Sequence, residues 1–490
     1  MTCQHGRVSR RRGLYVVVAA FVLSQIGYLA AGVRMDDSAL HPANVLQVQW
    51  QLLPLDLLRH DLLRSVWNLN SQPPLYNLFC GLLLHLPAGL QAPAATAVFM
   101  ALGLVLAVTT YLLLVELRVS VRVALPVTLV VLADPALVLY EEWLSWSFPT
   151  AVALTAGAYG LVRWGSRRAR SAGWAAAGMC CFAAVVLIDT TFQWPWLLAM
   201  AVLAVAVAGR RGRRPAVAAV AVPLLLVGGW YAKEALQFGT AATSSWLGMN
   251  LYQTTLAHAP PAELSRLIAE GTLGPLAAVP PFGSVSTYSP RFASARPTGV
   301  PALDQPSGPL GVPNFNNSVY VAVSKLYLGQ DLAYLEARPG VYARTVTRSV
   351  RLWSIPADQY LWSGADFRRI DGYARLYDTG VLLQPRPAAQ RLTLAAVSAP
   401  AGPAPGQMSW MVVALTVVDL LVAPVALWRR RADRPWAAAT AVLWLTVLYS
   451  FVVTSATEAA ENMRFRFELG TLPVVLAVVV LSSMRISPDE

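Results

Sequence analysis

Long apolar runs are the feature of this sequence that most restricts its fold. Residues 14–31 and 437–453 are examples, and each is close to the roughly 20 residues with which a helix crosses a bilayer. Only 13% of the 490 residues are charged, whereas soluble domains average about 25%. A water-soluble core cannot hold this much apolar surface, so the runs predict an all-α polytopic membrane protein.

Short arginine clusters between the runs predict the sidedness of the chain. Lysine and arginine concentrate in cytoplasmic loops, and placing every cluster inside gives about ten spans with both chain ends in the cytoplasm. Seven spans are predicted in residues 1–232 and three in 409–490, with an outward-facing domain of mixed helical and irregular structure at 233–408. Spans six and seven are separated by the basic cluster 210–214.

The first apolar run has a second interpretation. Basic residues at 7–12 precede it and small residues at 30–32 follow it, an arrangement that is also typical of a secretory signal peptide. The length of the run and the many spans after it favour an uncleaved anchor instead.

The first outer loop, residues 33–94, is expected to carry two juxtamembrane helices. In residues 52–67 apolar side chains recur at helical spacing with charged side chains between them, which is typical of a helix lying at the membrane interface. Pro73 and Pro74 begin a second apolar piece, 75–86, which is short for a span. Counting that piece as a span would place the later arginine clusters outside, so we interpret it as interfacial.

Three short strings in predicted outward positions resemble motifs of one enzyme superfamily. They are MDDS at 35–38, SQPPLYN at 71–77 and ENMRFRF at 461–467. Together with the topology they resemble the GT-C superfamily of membrane glycosyltransferases, which includes protein O-mannosyltransferases and the lipid A aminoarabinose transferase. Asp37 and Gln72 depart from the family pattern, in which Glu and either His or Lys are usual.

The resemblance implies a reaction and roles for several residues. Enzymes of this family transfer a sugar from a polyprenyl phosphate to an acceptor hydroxyl, which requires a base and a site for the departing phosphate. By analogy Asp36 is the first candidate for the base and Asp37 the second, and a solvated pair that ends the span is the alternative. Arg464 and Arg466 are candidates for binding the phosphate, because guanidinium groups bind phosphate with two parallel hydrogen bonds. An interfacial anchor balanced by nearby glutamates is the alternative.

Further candidates lie in other outward segments. Arg344, Arg348 and Arg351 recur at near-helical spacing, and they are either phosphate-binding residues or a basic interfacial stripe. The candidate substrate-binding residues are Glu141, Glu142, Gln72, Tyr76, Asp189 and Glu461. The alternatives for these are an aromatic interface belt and carboxylates that merely end a helix. The strings TSSWLGMN at 243–250 and NFNNS at 314–318 would suit acceptor recognition, although Asn-rich turns often satisfy their own backbone.

The sequence predicts neither a metal centre nor a nucleic-acid partner. His41, His85 and His258 form no metal-binding motif and the cysteines lack ligand spacing, so a divalent metal is possible only through carboxylates. The expected partners are membrane lipids, a polyprenyl-phosphate sugar and a glycan, lipid or protein acceptor at the outer face of the plasma (inner) membrane. A transporter or flippase, which would place charged residues or broken helices near the midplane, is one alternative function. A non-catalytic protein of envelope assembly is the other.

Overall fold

The fold is helical throughout the part of the chain that the structure describes. The computed structural model describes residues 2–40, 51–166, 171–308, 311–360, 364–386 and 403–484, and their side chains apart from those at 2–9, 208–213, 364 and 365. Within these ranges there is no β-strand, and the isolated bridges join Asp36 to Trp143 and Ser307 to Pro313. The prediction of an all-helical fold is confirmed for these residues.

The helices fall into three groups along the chain. The first group comprises α1 Thr2–Ala30, α2 Leu55–His60, α3 Leu62–Trp67, α4 Pro74–Leu84, α5 Ala88–Glu116, α6 Val121–Leu132, α7 Pro135–Glu141, α8 Ser147–Gly165, α9 Gly173–Val186 and α10 Trp194–Phe238. The second comprises α11 Leu247–Thr254, α12 Pro261–Ala269, α13 Val285–Tyr288, α14 Pro301–Asp304, α15 Ser318–Ala337, α16 Pro339–Trp353 and α17 Gly364–Gly380. The third comprises α18 Trp410–Val417, a π-helix Val418–Val422, α19 Ala423–Arg429, α20 Arg434–Thr457, α21 Asn462–Glu468 and α22 Leu472–Met484. Short 3₁₀-helices lie at Ser38–Leu40, Leu256–His258, Pro275–Ala278, Ala357–Gln359 and Pro405–Gln407.

Several of these helices are long and apolar enough to cross a membrane. In the described ranges they are Arg10–Ala30, Ala88–Glu116, Arg214–Phe238, Trp410–Arg429 and Arg434–Thr457. The bent pairs α6 with α7 and α21 with α22 raise the number from five to seven if each pair is one span. The predicted fifth span is the 14-residue helix α9, which is shorter than a bilayer requires by itself. The chain is therefore a helical protein with several membrane-spanning candidates, fewer at full length than the ten predicted.

Helix α10 contains a reversal of chain direction. Its helical assignment is continuous from Trp194 to Phe238, and a straight helix would separate residues 194 and 231 by roughly 55 Å at 1.5 Å per residue. Instead the backbone N–H of Trp194 donates to Tyr231 Oη at 3.2 Å, and Tyr231 Oη donates to Gln193 Oε1 at 2.5 Å. Two antiparallel halves therefore lie side by side, in agreement with separate spans six and seven.

Helices α8 and α9 pack closely because glycines line their contact. A Cβ on Gly160 would lie 2.9 Å from Gly178 Cα, and a Cβ on Gly178 would lie 2.8 Å from the carbonyl oxygen of Gly157. Small residues let helix backbones approach one another in membrane proteins. This close contact brings the segment before α8 and the segment after α9 to the same place, where both line a cavity.

The first outer loop carries more helices than predicted. The amphipathic stretch 52–67 is divided into α2 and α3 at Asp61, whose backbone leaves the helical region at φ −143°. Helix α4 begins with Pro74 at its first position, where a proline costs no helical hydrogen bond. Because α4 packs against α2, α3 and α5, its buried face belongs to the protein interior.

The segment from α11 to α17, which the sequence predicts to face outward and which we call the outward segment, has a hydrophobic cluster of its own, centred on α11 and α15. Trp246, Met249, Tyr320 and Tyr327 are buried in it. Helix α16 instead ends in the main cluster of the molecule, through Leu352 and Trp353. Helix α10 continues to Phe238, past the predicted boundary at 232. The segment thus folds on itself and is anchored to the membrane helices at its end.

Candidate functional site

A cavity of about 680 Å³ lies between the membrane helices and the outward segment. Its charged and histidine lining residues are Asp189, Glu458, Glu461, Arg344, Arg348, Arg464 and His258, and its aromatic ones are Trp146, Trp246, Phe282 and Phe465. Gln72, Asn250 and Gln253 also line it. Six of the candidate catalytic, phosphate-binding and substrate-binding residues, Gln72, Asp189, Arg344, Arg348, Glu461 and Arg464, are therefore brought to one place.

Arg464 is engaged by carboxylates in the cavity wall. Its Nε and Nη2 donate to Glu461 Oε2 at 2.9 and 2.6 Å, and its Nη1 donates to Glu468 Oε1 at 2.5 Å and to Ser147 Oγ at 3.2 Å. The guanidinium also lies 5.0 Å from the centre of the Trp146 ring. Two carboxylates already balance its charge, which favours the alternative of an anchor paired with glutamates, and the role of Arg464 as a phosphate ligand stays a prediction. Its contacts hold the wall together.

Asp189 offers an acceptor oxygen in the cavity wall. Its side chain is 1% exposed, and Oδ1 accepts the backbone N–H of Thr191 at 2.7 Å. Oδ2 accepts no hydrogen bond from an N–H or hydroxyl group among the described residues, and the carboxyl group of Asp189 pairs with that of Glu468. A buried carboxylate oxygen in a cavity wall can accept a hydrogen bond from a bound hydroxyl group. Asp189 also acts electrostatically on Arg464 and Glu468, so it belongs to the same charged group.

The outward segment supplies the other charged side of the cavity. Arg348 is 5% exposed, and its Nη1 lies 3.2 Å from His258 Nε2. Burial lowers the pKa of Arg348 while the charge of Glu458 opposes that shift. Burial and the neighbouring Glu461 raise the pKa of Glu458 to about 7. Arg344 lies one turn before Arg348 and is exposed at the rim.

Arg466 lies away from the cavity lining. Residues two apart on a helix point in nearly opposite directions, and Arg466 donates to the backbone carbonyl of Trp353. It acts electrostatically on three carboxylates, Asp134, Asp358 and Asp378, which we call the interior aspartate cluster. The expectation that Arg466 binds donor phosphate together with Arg464 does not fit these surroundings.

Asp36 and Asp37 also lie outside the cavity lining. The backbone N–H of Asp36 donates to the carbonyl of Glu142 at 2.6 Å, and its own carbonyl accepts from Leu144 N at 3.1 Å. Its Oδ1 accepts the N–H of Ser38 at 3.0 Å. These bonds tie the first outer loop to the segment that leads to Trp146. The geometry therefore gives Asp36 a role in positioning that segment.

The two predicted substrate-binding glutamates are buried beside Asp36 and not in the cavity wall. Glu141 Oε2 accepts Gln25 Nε2 at 2.9 Å. Burial and the charge of Asp366 raise the pKa of Glu142 to about 7, while Arg34 opposes this. Both side chains are buried, and neither lines the cavity.

Tyr76 acts on the cavity through a neighbour. Its hydroxyl donates to the carbonyl of Leu144 at 3.1 Å, and its ring packs edge-on against Trp146 with 5.5 Å between ring centres. Trp146 lines the cavity whereas Tyr76 does not. Tyr76 therefore fixes the position of the tryptophan.

The Asn-rich string of the outward segment holds the loop that bears Gln72. Asn316 Oδ1 accepts the N–H groups of Asn70 and Ser71 at 2.7 and 3.1 Å. From the other string, Ser244 Oγ donates to the carbonyl of Ser71 at 2.6 Å. Both strings are thus occupied with backbone contacts, although Trp246 and Asn250 do reach the cavity.

The sequence gives no indication that His258 and Glu458 belong to this site. In the sequence His258 is a histidine without a metal-binding motif, and Glu458 is an acidic residue that follows a predicted span. They meet Arg348 because the chain folds across about 90 and 110 residues of separation, which local spacing does not reveal. No group of three His, Cys, Asp or Glu side chains within the described residues is arranged to hold a metal ion.

Comparisons of the chain with protein-family models, with curated proteins and with solved structures found no match. The resemblance to the GT-C superfamily therefore rests on the three strings and on the predicted topology. The class that fold and site define is a helical protein with several candidate membrane-spanning helices and a charged cavity within its described residues.

Proposed function

We propose that the chain is a membrane glycosyltransferase that moves a sugar from a polyprenyl phosphate to an acceptor hydroxyl at the outer face of the membrane. The observation that carries the proposal is the composition of the cavity. It combines a buried carboxylate, Asp189, and a buried arginine, Arg348, in the wall of one cavity. Trp146 and Trp246 add ring faces on which a sugar can pack.

The reaction assigns a task to each of these groups. The acceptor oxygen forms a bond to the anomeric carbon, the bond from that carbon to the phosphate oxygen breaks, and the phosphate keeps the electron pair. Asp189 takes the hydroxyl proton. Arg348 and Arg344 stabilise the charge that develops on the phosphate. Arg464 acts as a positioning residue because it holds Glu461 and Glu468 beside Asp189.

The proposed topology has ten spans, cytoplasmic chain ends and a cavity open to the outer leaflet of the plasma membrane. The arginine clusters support it, because this threading leaves them all inside. Single cysteines in a cysteine-free background test it. Ser286→Cys should react with an impermeant maleimide in intact cells, and Ser120→Cys should react only after permeabilisation. The reverse pattern would reject the topology.

Transfer itself is tested with the purified protein in lipid nanodiscs, radiolabelled polyprenyl-phosphate sugars and a membrane extract as the source of acceptor. Asp189→Asn keeps an oxygen for the N–H of Thr191 but removes the base. Asp36→Asn is the matched control outside the cavity lining. Absence of transfer by the wild type from every donor would reject the function, whereas equal transfer by Asp189→Asn would reject only the assignment of the base.

Asp419 favours transport as a second candidate function. It lies in the π-helix at the middle of the candidate span Trp410–Arg429, it is fully buried, and neither carboxyl oxygen has a hydrogen-bond partner within the described residues. Carboxyl groups at such depth often mark ion or proton paths, and π-helical turns often occur at functional sites. Lipid scrambling or proton flux in proteoliposomes that Asp419→Asn abolishes, without any sugar transfer, would establish this alternative.

A further inference from the structure

The side of the cavity that bears Arg344 and Arg348 also contains His258, and the neighbours of this histidine determine its tautomer. His258 Nε2 lies 3.2 Å from Arg348 Nη1, and a guanidinium group only donates hydrogen bonds. Nε2 therefore accepts and carries no proton. The proton of the neutral ring sits on Nδ1, which is hydrogen-bonded to the backbone of Gln253. In this arrangement His258 is neutral.

The charges around His258 explain why it is neutral. Burial and the positive charge of Arg348 lower the pKa of His258. The ionisable groups that line the same cavity are Asp189, Glu458 and Glu461 on the acidic side and Arg344, Arg348 and Arg464 on the basic side. Arg464 is paired with Glu461, so Arg348 is the cation that acts most directly on the imidazole. An anion bound to Arg348 would remove this effect.

We propose that a phosphate group binding at Arg348 is accompanied by the uptake of one proton on His258 Nε2. The phosphate replaces the imidazole as the partner of the Arg348 N–H, and the new Nε2–H then donates to a phosphate oxygen. The proton comes from solvent, and no other bond forms or breaks. The site is thus a proton-linked phosphate site made of Arg348, His258 and, at the rim, Arg344. Only the identity of the phosphate carrier, a polyprenyl phosphate, rests on the proposed function.

The direction of the pH dependence follows from this linkage. Because the pKa of His258 is lower in the empty site than in the occupied one, protons bind more tightly once the phosphate is present. Phosphate affinity therefore rises as the pH falls through the interval between those two pKa values. One linked proton changes the dissociation constant by at most about tenfold per pH unit.

Isothermal titration calorimetry on the full chain in nanodiscs tests the proposal. A short-chain polyprenyl phosphate and inorganic phosphate are titrated separately at pH 6, 7 and 8, in buffers with different heats of ionisation. The variants are His258→Gln and, as the matched control, His85→Gln, whose ring contacts only its own helix backbone among the recorded bonds. The ligand's own second ionisation contributes equally to all proteins and cancels in the comparison.

We expect the wild type and His85→Gln to take up about one proton more than His258→Gln, and their affinity to fall more steeply as the pH rises. Uptake that is equal in wild type and His258→Gln overturns the proposal, and so does failure of both ligands to bind. Binding of the lipid phosphate alone identifies the source as a lipid, whereas comparable binding of both ligands supports a site for phosphate in general. Sugar transfer is measured separately, so a protein with proton-linked phosphate binding and no transfer refutes the proposed function and keeps this inference.

Discussion

Arg464 and Arg466 lie two residues apart on the same short helix, yet they belong to different parts of the molecule. Arg464 is in the cavity wall, where it binds the carboxylates of Glu461 and Glu468. Arg466 faces the interior aspartate cluster and donates to a backbone carbonyl. The comparison teaches that one short motif can supply both a site and its structural support. Variants in the cavity should therefore change sugar transfer, whereas variants in the interior should change stability.

The largest effect is expected at the base. Asp189→Asn should lower sugar transfer by about 10²- to 10⁴-fold, the usual contribution of a general base, with the fold unchanged because the Thr191 contact is kept. Asp36→Asn should change transfer far less, since Asp36 lies outside the cavity lining. Initial rates with one radiolabelled donor measure both. A larger loss in Asp36→Asn than in Asp189→Asn would return the base to the first outer loop.

Single replacements of Arg464 and Arg466 should have different effects, because one lies in the cavity wall and the other in the interior. Arg464→Met leaves Glu468 buried without its cation, and breaking a buried ion pair costs about 3–5 kcal/mol. Arg466→Met should also lower stability, because the interior aspartate cluster loses its cation. Thermal unfolding in detergent measures these losses. Only Arg464→Met should abolish transfer by the protein that remains folded, and equal loss of transfer in both variants would contradict the distinction.

A smaller effect is expected on donor affinity. Arg348→Gln removes a buried charge from the cavity, and hydrogen bonds to charged groups contribute about 1.5–3 kcal/mol. The donor KM should therefore rise by about 10- to 100-fold with a smaller change in kcat. Arg351→Gln lies on the same helix but does not line the cavity, so it is the matched control. An unchanged KM in Arg348→Gln would remove Arg348 from the phosphate site.

The smallest effect concerns the interior aspartate cluster. Burial raises the pKa of Asp378 from its ordinary value near 4 to about 7, so the folded protein favours the protonated carboxyl. Its contribution to stability is present below pH 4 and is lost as the pH rises through about 7. Asp378→Asn should therefore raise the melting temperature by about 2 °C at pH 8 and by clearly less at pH 5, where only part of the contribution is lost. Transfer should stay unchanged, and a stabilisation that is the same at both pH values would contradict the charge argument.

Parts of the site could be recognised in the sequence from motif strings, from helical spacing of arginines and from carboxylates at span ends. Asp189 is predicted from its place at a span end, Arg348 from its spacing with Arg344 and Arg351, and Glu461 from its motif string, and all three line the cavity. Asp36 and Arg466 are predicted from motif strings and Glu141 from its place after a span, and the structure places all three outside the cavity lining. Exposure to a cavity depends on what packs against a residue, and that is not a local property.

The same limit applies to the polar strings and to His258. Asn316 satisfies the backbone of residues 70 and 71, although its own neighbours in the sequence resemble a recognition loop. His258 acquires its chemical setting from Arg348, about 90 residues later in the chain. Neither contact could be predicted from spacing along a helix or strand.

The sequence by itself determined that this chain is helical and has several candidates for crossing a membrane. Hydropathy over some 20 residues is a local quantity, and a bilayer selects for it directly. Only the tertiary structure decided that Arg464 borders a cavity while Arg466 does not. It also joined Asp189, Arg348 and His258 around one space. The physical reason is that charge, solvation and hydrogen bonding at a buried site are set by side chains that the chain brings together from distant segments.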